Sequence, residues 1–378
     1  MGLYQIALSF LAAIAFIIAP QVLRWGMSQF DRLRGATESP DLTEYMSPEE
    51  SAGLAEVLAR SRLDQDIVPL HGTGRDTRPG RAGIKNVGNS CYLAPVIQIL
   101  AHSRRFVDAL FDTEFAKPNP AQEEFLKMVI DMWSYNEHGT PLDPSGLLRA
   151  LRKAAGDRSF NAGVHEDAHQ AMKTILSHLG EASVSHPGET SVFEDMFAVQ
   201  FDRSRICHGC GKLRSSRITE HDIFLPLQDV QSSGGLVHLY DLFTDRLSPV
   251  VNEYLNQCES CHGHRVQIDQ DTIGKAGELL LVALNRFDST LRPIETFVEY
   301  PIHLDLNKIS GSHGLPKYKL VGVIHRSGET TQFGHYTAQF YHDVHKEWVD
   351  ADDQTVSSVE GELGTISNTV YVLLYEMV

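Results

Sequence analysis

Positive charge is scarce in this chain: 33 Lys and Arg stand against 49 Asp and Glu, a formal net charge of −16. Nucleic-acid binding draws on clustered Lys and Arg that neutralise phosphates, so the balance argues against that class of function. The acidic surplus suits a basic partner or substrate segment, or serves solubility. Cysteine is scarce too, with Cys91, Cys207, Cys210, Cys258 and Cys261 making up the whole complement. That is too sparse for the disulfide framework of a small secreted domain, and it points to a reducing compartment. Internal repeats and low-complexity tracts are absent. Only the N-terminus carries a long hydrophobic run, and no positive charge precedes it. A cleaved signal peptide needs a basic n-region, so that reading is disfavoured.

What is present reads as a globular chain, 42% apolar and 22% charged over 378 residues. That length allows two domains, or one large domain with extras. Residues 3–23 run from Leu3 to Leu23 with breaks at Gln5, Ser9 and Pro20-Gln21, and Arg24, Arg32 and Arg34 follow. About 20 such residues cross a bilayer as a helix, and the positive-inside rule then places the rest of the chain in the cytosol. Residues 26–81 are polar and poor in large apolar groups. They carry one helix signal, Ser47-Pro48-Glu49-Glu50 leading into Leu54, Val57 and Leu58. As flexible coil this linker spans on the order of 40 Å.

From 83 to 186 the pattern is helical, with segments after Cys91, at 105–112, at 121–136, after Asp143-Pro144 and at 165–179. From 196 onward it turns to strands, clearest at 278–287, 317–325, 335–341, 346–350 and 370–376. Helices followed by strands give an α+β class.

Two chemistries compete. Cys91 stands alone after the turn-forming Gly88-Asn89-Ser90 and before the apolar Val96, Ile97, Ile99 and Leu100. That pattern predicts Cys91 in the first turn of a helix, where unpaired N–H groups and the dipole stabilise a thiolate. A cysteine nucleophile needs a base and an orienter. Gly334-His335-Tyr336 beside a strand, then Asp352-Asp353, supply them in papain-type order, with His335 as base and Asp352 holding its imidazole. An inert buried cysteine is the alternative for Cys91. The second chemistry is His165-Glu166-Asp167-Ala168-His169, an H-E-x-x-H pattern that on a helix would put two histidines on one face for a catalytic zinc. Residues 170–180 lack the metzincin continuation, and nothing marks a third ligand. A solvated or binding helix face is the alternative there. Separately, Cys207-x-x-Cys210 and Cys258-x-x-Cys261 provide four thiolates for one closed, structural zinc site.

Together these residues spell a family. Gly83 to Tyr92 resembles the Cys box of ubiquitin-specific proteases. Tyr318 to His325 with Gly334 to Ala338, and Trp348 to Asp353, resemble their His box. Leu280 to Phe287 resembles the L-x-R-F strand, and Val372 to Tyr375 the closing strand. Glu166-Asp167-Ala168-His169 is similar to the family's Q-E-D-A-H-E-F segment, which accounts for the zincin pattern without a metal.

The resemblance implies a papain-like core with a helical thumb (about 83–190), zinc-clipped β fingers (about 200–270) and a β-rich palm (about 190–200 and 270–378). These make a catalytic domain over 82–378, after a membrane anchor at 1–25 and the linker at 26–81. It implies hydrolysis after the C-terminal glycine of ubiquitin, with ubiquitin and ubiquitinated proteins as partners. Carried over by position, Cys91 is nucleophile, His335 base, Asp352 third triad member and Asn86 oxyanion donor. Asp167, Tyr336 and Phe287 face substrate, Asp167 meeting the arginine-containing ubiquitin tail. An anchored member is similar to those of the mitochondrial outer membrane, with endoplasmic reticulum as the alternative. The chain departs from the family at Ala94-Pro95, at His165 in place of glutamine and at Ala351 in place of an aromatic residue. These leave a catalytically weak ubiquitin-binding module as the competing reading.

Overall fold

The apolar stretch after Cys91 becomes a helix with every residue buried, α1 (Leu93–His102). A helix mostly apolar on every side belongs in an interior, and α1 packs there against three strands of the largest sheet. The computed structural model describes residues 78–378 except 135–138, 157–158, 162, 187, 228–234, 254–256, 264–265, 310–312, 329 and 331–332. The expected membrane helix at 1–25, the helix signal at 47–58 and all but the end of the 26–81 linker lie outside the described residues. Among the described residues, no helix is long and apolar enough to cross a membrane.

The chain divides into two compact units, residues 1–82 with 127–142, and residues 83–126 with 143–378. In the first, the Gly80 N–H donates to the Met132 carbonyl at 2.9 Å. All of the candidate site belongs to the second. After α1 come α2 (Arg104–Asp112), α3 (Pro120–Trp133, which passes from the second unit into the first), α4 (Ser145–Ala154), α5 (Ala168–Ser183) and α6 (Val192–Phe197). Strands follow: β1 (Val199–Cys207), β2 (Leu213–Glu220), β3 (Ile223–Pro226) and β4 (Leu236–His238), then α7 (Leu239–Leu247). Next are β5 (Val250–Glu253), β6 (Val266–Ala276), β7 (Leu279–Asn285), β8 (Phe297–Glu299) and β9 (His303–Asp305). The chain closes with β10 (Lys317–Ser327), β11 (His335–His342), β12 (Glu347–Asp352), β13 (Thr355–Ser358), β14 (Ile366–Ser367) and β15 (Val370–Met377).

The large sheet runs β13-β12-β11-β10-β15-β7-β3, with β9 also on β10. Its pairings are antiparallel except β3 on β7. A second sheet runs β2-β1-β6-β5 and a third β14-β8-β4. The unbroken apolar run Leu279–Leu284 has its reason here. Strand β7 sits between β15 and β3 and is buried on both faces, so the usual alternation disappears. One face contributes Leu280, Val282 and Leu284 to a core shared with Leu320, Val323, Leu373, Tyr375 and the α7 residues Leu239, Leu242 and Phe243. At Gly322 on β10 a Cβ would lie 2.7 Å from the Ile99 Cβ of α1. Glycine there lets helix and sheet approach closely enough to bring the Cys91 end of α1 against β11.

Candidate active site

Cys91 is 3% exposed and lies just before α1, whose N-cap is Tyr92. The expected place in the first helical turn is therefore corrected: the thiol precedes the helix. Its pKa is also raised, not lowered. Burial dominates, outweighing a backbone N–H from Tyr336 that acts the other way, and the charge of Asp353 adds to the rise. Burial here favours the neutral thiol, so forming the thiolate calls for a base.

The segment before it is held to a specific shape. Gly88 and Asn89 take left-handed φ of 71° and 60°, and Asn89 Nδ2 donates to the Gly163 carbonyl at 2.8 Å. Ser90 Oγ accepts from the Val87 N–H at 2.8 Å, while the Ser90 N–H donates to Asn86 Oδ1 at 3.0 Å. Asn86 Nδ2 donates to Asp353 Oδ2 at 2.9 Å. These partners fix which amide atom is which: an N–H needs the oxygen and a carboxylate needs the nitrogen. An amide NH₂ carries two hydrogens, so the second remains for a ligand oxygen. Gly83 lies so close to the Gln354 backbone that no Cβ would fit, and the Ile84 N–H donates to the Asp353 carbonyl at 2.8 Å. The Cys91 segment is thus laced to the end of β12.

His335 opens β11 and Asp352 closes β12. His335 Nε2 lies 2.6 Å from Asp352 Oδ1. With Nε2 donating to the carboxylate, Nδ1 is left as the basic nitrogen. The Tyr336 backbone N–H reaches the Cys91 thiol, and so does the charge of Asp353. Ring nitrogen and carboxylate oxygens of His335, Asp352 and Asp353 all fall within 4.8 Å of one another. Asp353 is the residue that sequence reasoning missed. Adjacent strand residues normally point to opposite faces. Asp353 instead takes a left-handed φ of 48°, which turns its side chain back toward the same cluster. Its pKa is raised, by burial first and by the Asp352 charge, while Asn86 and His335 act to lower it.

Asp167 caps α5, its Oδ1 accepting from the Gln170 N–H at 2.9 Å. Its other oxygen accepts from the hydroxyls of Tyr371 at 2.5 Å and Tyr336 at 3.3 Å. Tyr336 also accepts from Arg326 Nε at 3.2 Å, and the Arg326 guanidinium lies 4.5 Å over the Phe287 ring. Asp167, Tyr336 and Phe287 are therefore brought together, through the unanticipated Arg326 and Tyr371. A buried hydroxyl that both donates and accepts is the signal that ties them.

The zincin reading is overturned. Helix α5 starts at Ala168, so His165 and Glu166 lie outside it and the two histidines share no helix face. His165 stacks on Tyr336 with centroids 5.4 Å apart, and Glu166 accepts from the Phe160 N–H. His169 Nε2 lies 2.8 Å from Asp222. Burial, followed by the Arg326 charge, lowers the His165 pKa. Among the described residues, the groups compact enough to share an ion are the His335 cluster and the four cysteines.

Those cysteines come from two matching turns. In one the Gly211 N–H donates to the Cys207 carbonyl at 2.9 Å with Gly211 at φ 68°. In the other the His262 N–H donates to the Cys258 carbonyl at 2.7 Å with His262 at φ 52°. Cys207 and Cys261 sulfurs are 3.9 Å apart, Cys210 and Cys258 sulfurs 3.8 Å. A tetrahedron with zinc–sulfur bonds of about 2.3 Å has sulfur–sulfur edges of about 3.8 Å, so the donor set fits that ion. The N–H groups of Cys261 and Ser260 bring the Cys258 thiol down to about 6.

The chain matches the ubiquitin carboxyl-terminal hydrolase family over residues 82–375. It belongs to that family. Across 367 residues it is 26% identical to ubiquitin carboxyl-terminal hydrolase Usp2 of Drosophila melanogaster, covering 86% of this chain and 38% of that protein. It is likewise 26% identical over 313 residues to ubiquitin carboxyl-terminal hydrolase 17-like protein B of Mus musculus, covering 79% and 64%. The chain thus spans about two fifths of the fly relative's length. The SAGA Ubp8/Sgf11/Sus1/Sgf73 DUB module bound to ubiquitin aldehyde contains a chain of the same fold. It aligns with a TM-score of 0.67 and 20% identity over 86% of this chain and 75% of that one. The papain-like α+β fold expected from the sequence is therefore present.

Proposed function

We propose that this protein is a thiol-dependent deubiquitinase that cleaves the isopeptide or peptide bond after the C-terminal glycine of ubiquitin. The observation that carries the reading is the 2.6 Å His335–Asp352 pair, clustered with Asp353, whose charge reaches the buried Cys91 thiol, in a chain of this family. His335 Nδ1 takes the Cys91 proton and the thiolate attacks the glycine carbonyl carbon. The second Asn86 amide hydrogen and the Cys91 backbone N–H receive the oxyanion, one such donor being worth about 3 kcal/mol. His335 then protonates the leaving amine, and afterwards draws a proton from the water that releases the thioester. Asp352 keeps the imidazole in the Nδ1-basic tautomer. Asp167 supplies the carboxylate for the arginine-containing tail, already oriented by two tyrosine hydroxyls. The four cysteines hold one zinc ion, and a closed four-thiolate set gives it a structural role.

Two features of the sequence extend the reading to location. The apolar run at 3–23 and the arginines after it support a membrane anchor with the catalytic part in the cytosol. Among membranes, the mitochondrial outer membrane is favoured over the endoplasmic reticulum. Fluorescence microscopy of the full chain against markers of both tests this, and a diffuse signal would remove the anchor.

The catalytic reading is tested with a ubiquitin carrying a C-terminal electrophile and with a ubiquitin C-terminal amide reporter. Wild type should be labelled at Cys91 and should cleave the reporter, and Cys91→Ala should do neither. Undiminished cleavage by Cys91→Ala would sink the proposal. Ubiquitin binding without labelling would make the protein a binding module instead. Parallel labelling with ubiquitin-like modifiers decides among them.

A further inference from the structure

Phe333 is 75% exposed, the highest value for any aromatic residue among those described. A single exposed apolar side chain is ordinary. Two observations set this one apart. It lies two residues before His335, the base in the proposed mechanism. And the turn that presents it is built on a buried cation.

Arg326 is only 6% exposed. Its Nη2 donates to the Thr330 carbonyl at 2.6 Å, and Nε donates to the Tyr336 hydroxyl at 3.2 Å. Thr330 Oγ1 in turn accepts from the Phe333 N–H at 3.1 Å. Gly334 closes the arrangement: a Cβ there would sit 2.7 Å from the Ser327 carbonyl oxygen and 3.0 Å from Arg326 Nη2. A buried guanidinium and a glycine shape this stretch, and the result is an exposed aromatic side chain two residues from the base.

We propose that Phe333 is a specificity-determining residue that receives the aliphatic stem of the lysine in the leaving group. The inference rests on the deubiquitinase reading. His335 has to hand its proton to the leaving nitrogen, so the lysine Nζ sits at His335. Four methylenes lead away from that nitrogen. They are apolar, and lysine stems cover neighbouring apolar surface readily. An aromatic face beside the imidazole removes them from water, and a substrate without the stem gains nothing from it.

The test compares two amides of ubiquitin with the same bond chemistry. One is joined through lysine Nζ to a short peptide, and the other is the C-terminal methylamide. Phe333→Ala should lower kcat/KM for the lysine isopeptide about five- to tenfold, the effect of uncovering one or two methylenes. It should leave the methylamide within about twofold of wild type, and Phe333→Leu should restore most of the isopeptide activity. Because the ring is exposed, labelling by electrophilic ubiquitin should proceed at the wild-type rate and show that the variant is folded. Equal losses on both amides would mean that Phe333 serves the ubiquitin side, and unchanged isopeptide cleavage would mean it serves neither; each overturns the inference alone. A wild-type protein that cleaves neither amide removes the deubiquitinase reading and this inference with it.

Discussion

One Asn86 amide hydrogen goes to Asp353 at 2.9 Å, and in the proposed mechanism the other meets the oxyanion. If Asp353 acts by aiming Asn86, the two residues form one unit. Asn86→Ala should then cost about 10²–10³-fold in kcat. Asp353→Ala should cost less, because the Ser90 N–H still holds Asn86 Oδ1. The double variant should be no slower than Asn86→Ala alone, and multiplicative losses in a double-mutant cycle would separate the residues. The thiol gives a second prediction at this scale. Burial raises the Cys91 pKa and Asp353 adds to it, so the protonated form persists to higher pH than in an ordinary cysteine. Alkylation of the free enzyme by iodoacetamide should therefore rise with pH through a midpoint above that of a free thiol. Asp353→Asn should move that midpoint down. A wild-type midpoint below the free thiol would show that a resting thiolate–imidazolium pair outweighs burial.

Helix α1 is the element on which the site depends, and its seat on β10 is tight. Gly322→Ala would put a Cβ 2.7 Å from that of Ile99, an overpacking that costs about 1–3 kcal/mol. Urea unfolding should show that loss, and kcat should fall as well because Cys91 lies just before α1. Trimming Ile99 to alanine in the same background should recover part of the activity; no recovery would place the effect elsewhere. Elements of this kind were legible in the sequence where one physical demand dominated. The run 93–102 is apolar on nearly every side, Gln98 and His102 excepted, and 279–284 is apolar without alternation, because both are buried on every side. Where side-chain hydrogen bonds decided, the sequence was harder to read. The helix expected from 165 begins at Ala168 because Asp167 caps the Gln170 N–H. This dissolves the apparent metal face. The adjacent Asp352 and Asp353 reach one cluster only through a left-handed turn, which no periodicity announces. The contacts of Arg326 with Thr330 and Tyr336 are equally invisible without the fold, since they join positions brought together by a turn.

At the scale of the whole molecule, the sheet β2-β1-β6-β5 stands apart in how it is held. Its inner end is anchored by Val199, Phe201 and Ile273 in the core, whereas Ile206, Leu213, Val250 and Val251 farther along are exposed. Between them run cross-strand ion pairs, Arg203 with Asp271 at 2.7 Å and Arg205 with Asp269 at 2.8 Å. Hydrogen bonds from Arg203 hold the Asp271 carboxyl below the usual carboxylate range. A depressed carboxylate contributes stability above its unfolded pKa and loses it as pH falls through the folded value. The far end is closed by the four clustered cysteines, which could hold a metal ion, and by the Arg214–Glu259 ion pair at 2.6 Å. Such sites contribute folding energy directly, and here little apolar burial stands behind them. Chelation under reducing conditions should therefore raise hydrogen exchange in β2, β5 and the outer halves of β1 and β6, and more so at acid pH where the Asp271 pairs weaken. Exchange in α1, β10 and β11 should stay slow, because that core is packed by α1 and β15 without help from the cysteines. Electrophilic labelling of Cys91 by a small alkylating agent should survive chelation, whereas cleavage of ubiquitin substrates should fall as the sheet loosens. Uniform exchange throughout the second unit after chelation would show that the metal supports the whole core, and unchanged exchange would show that the four cysteines hold no ion.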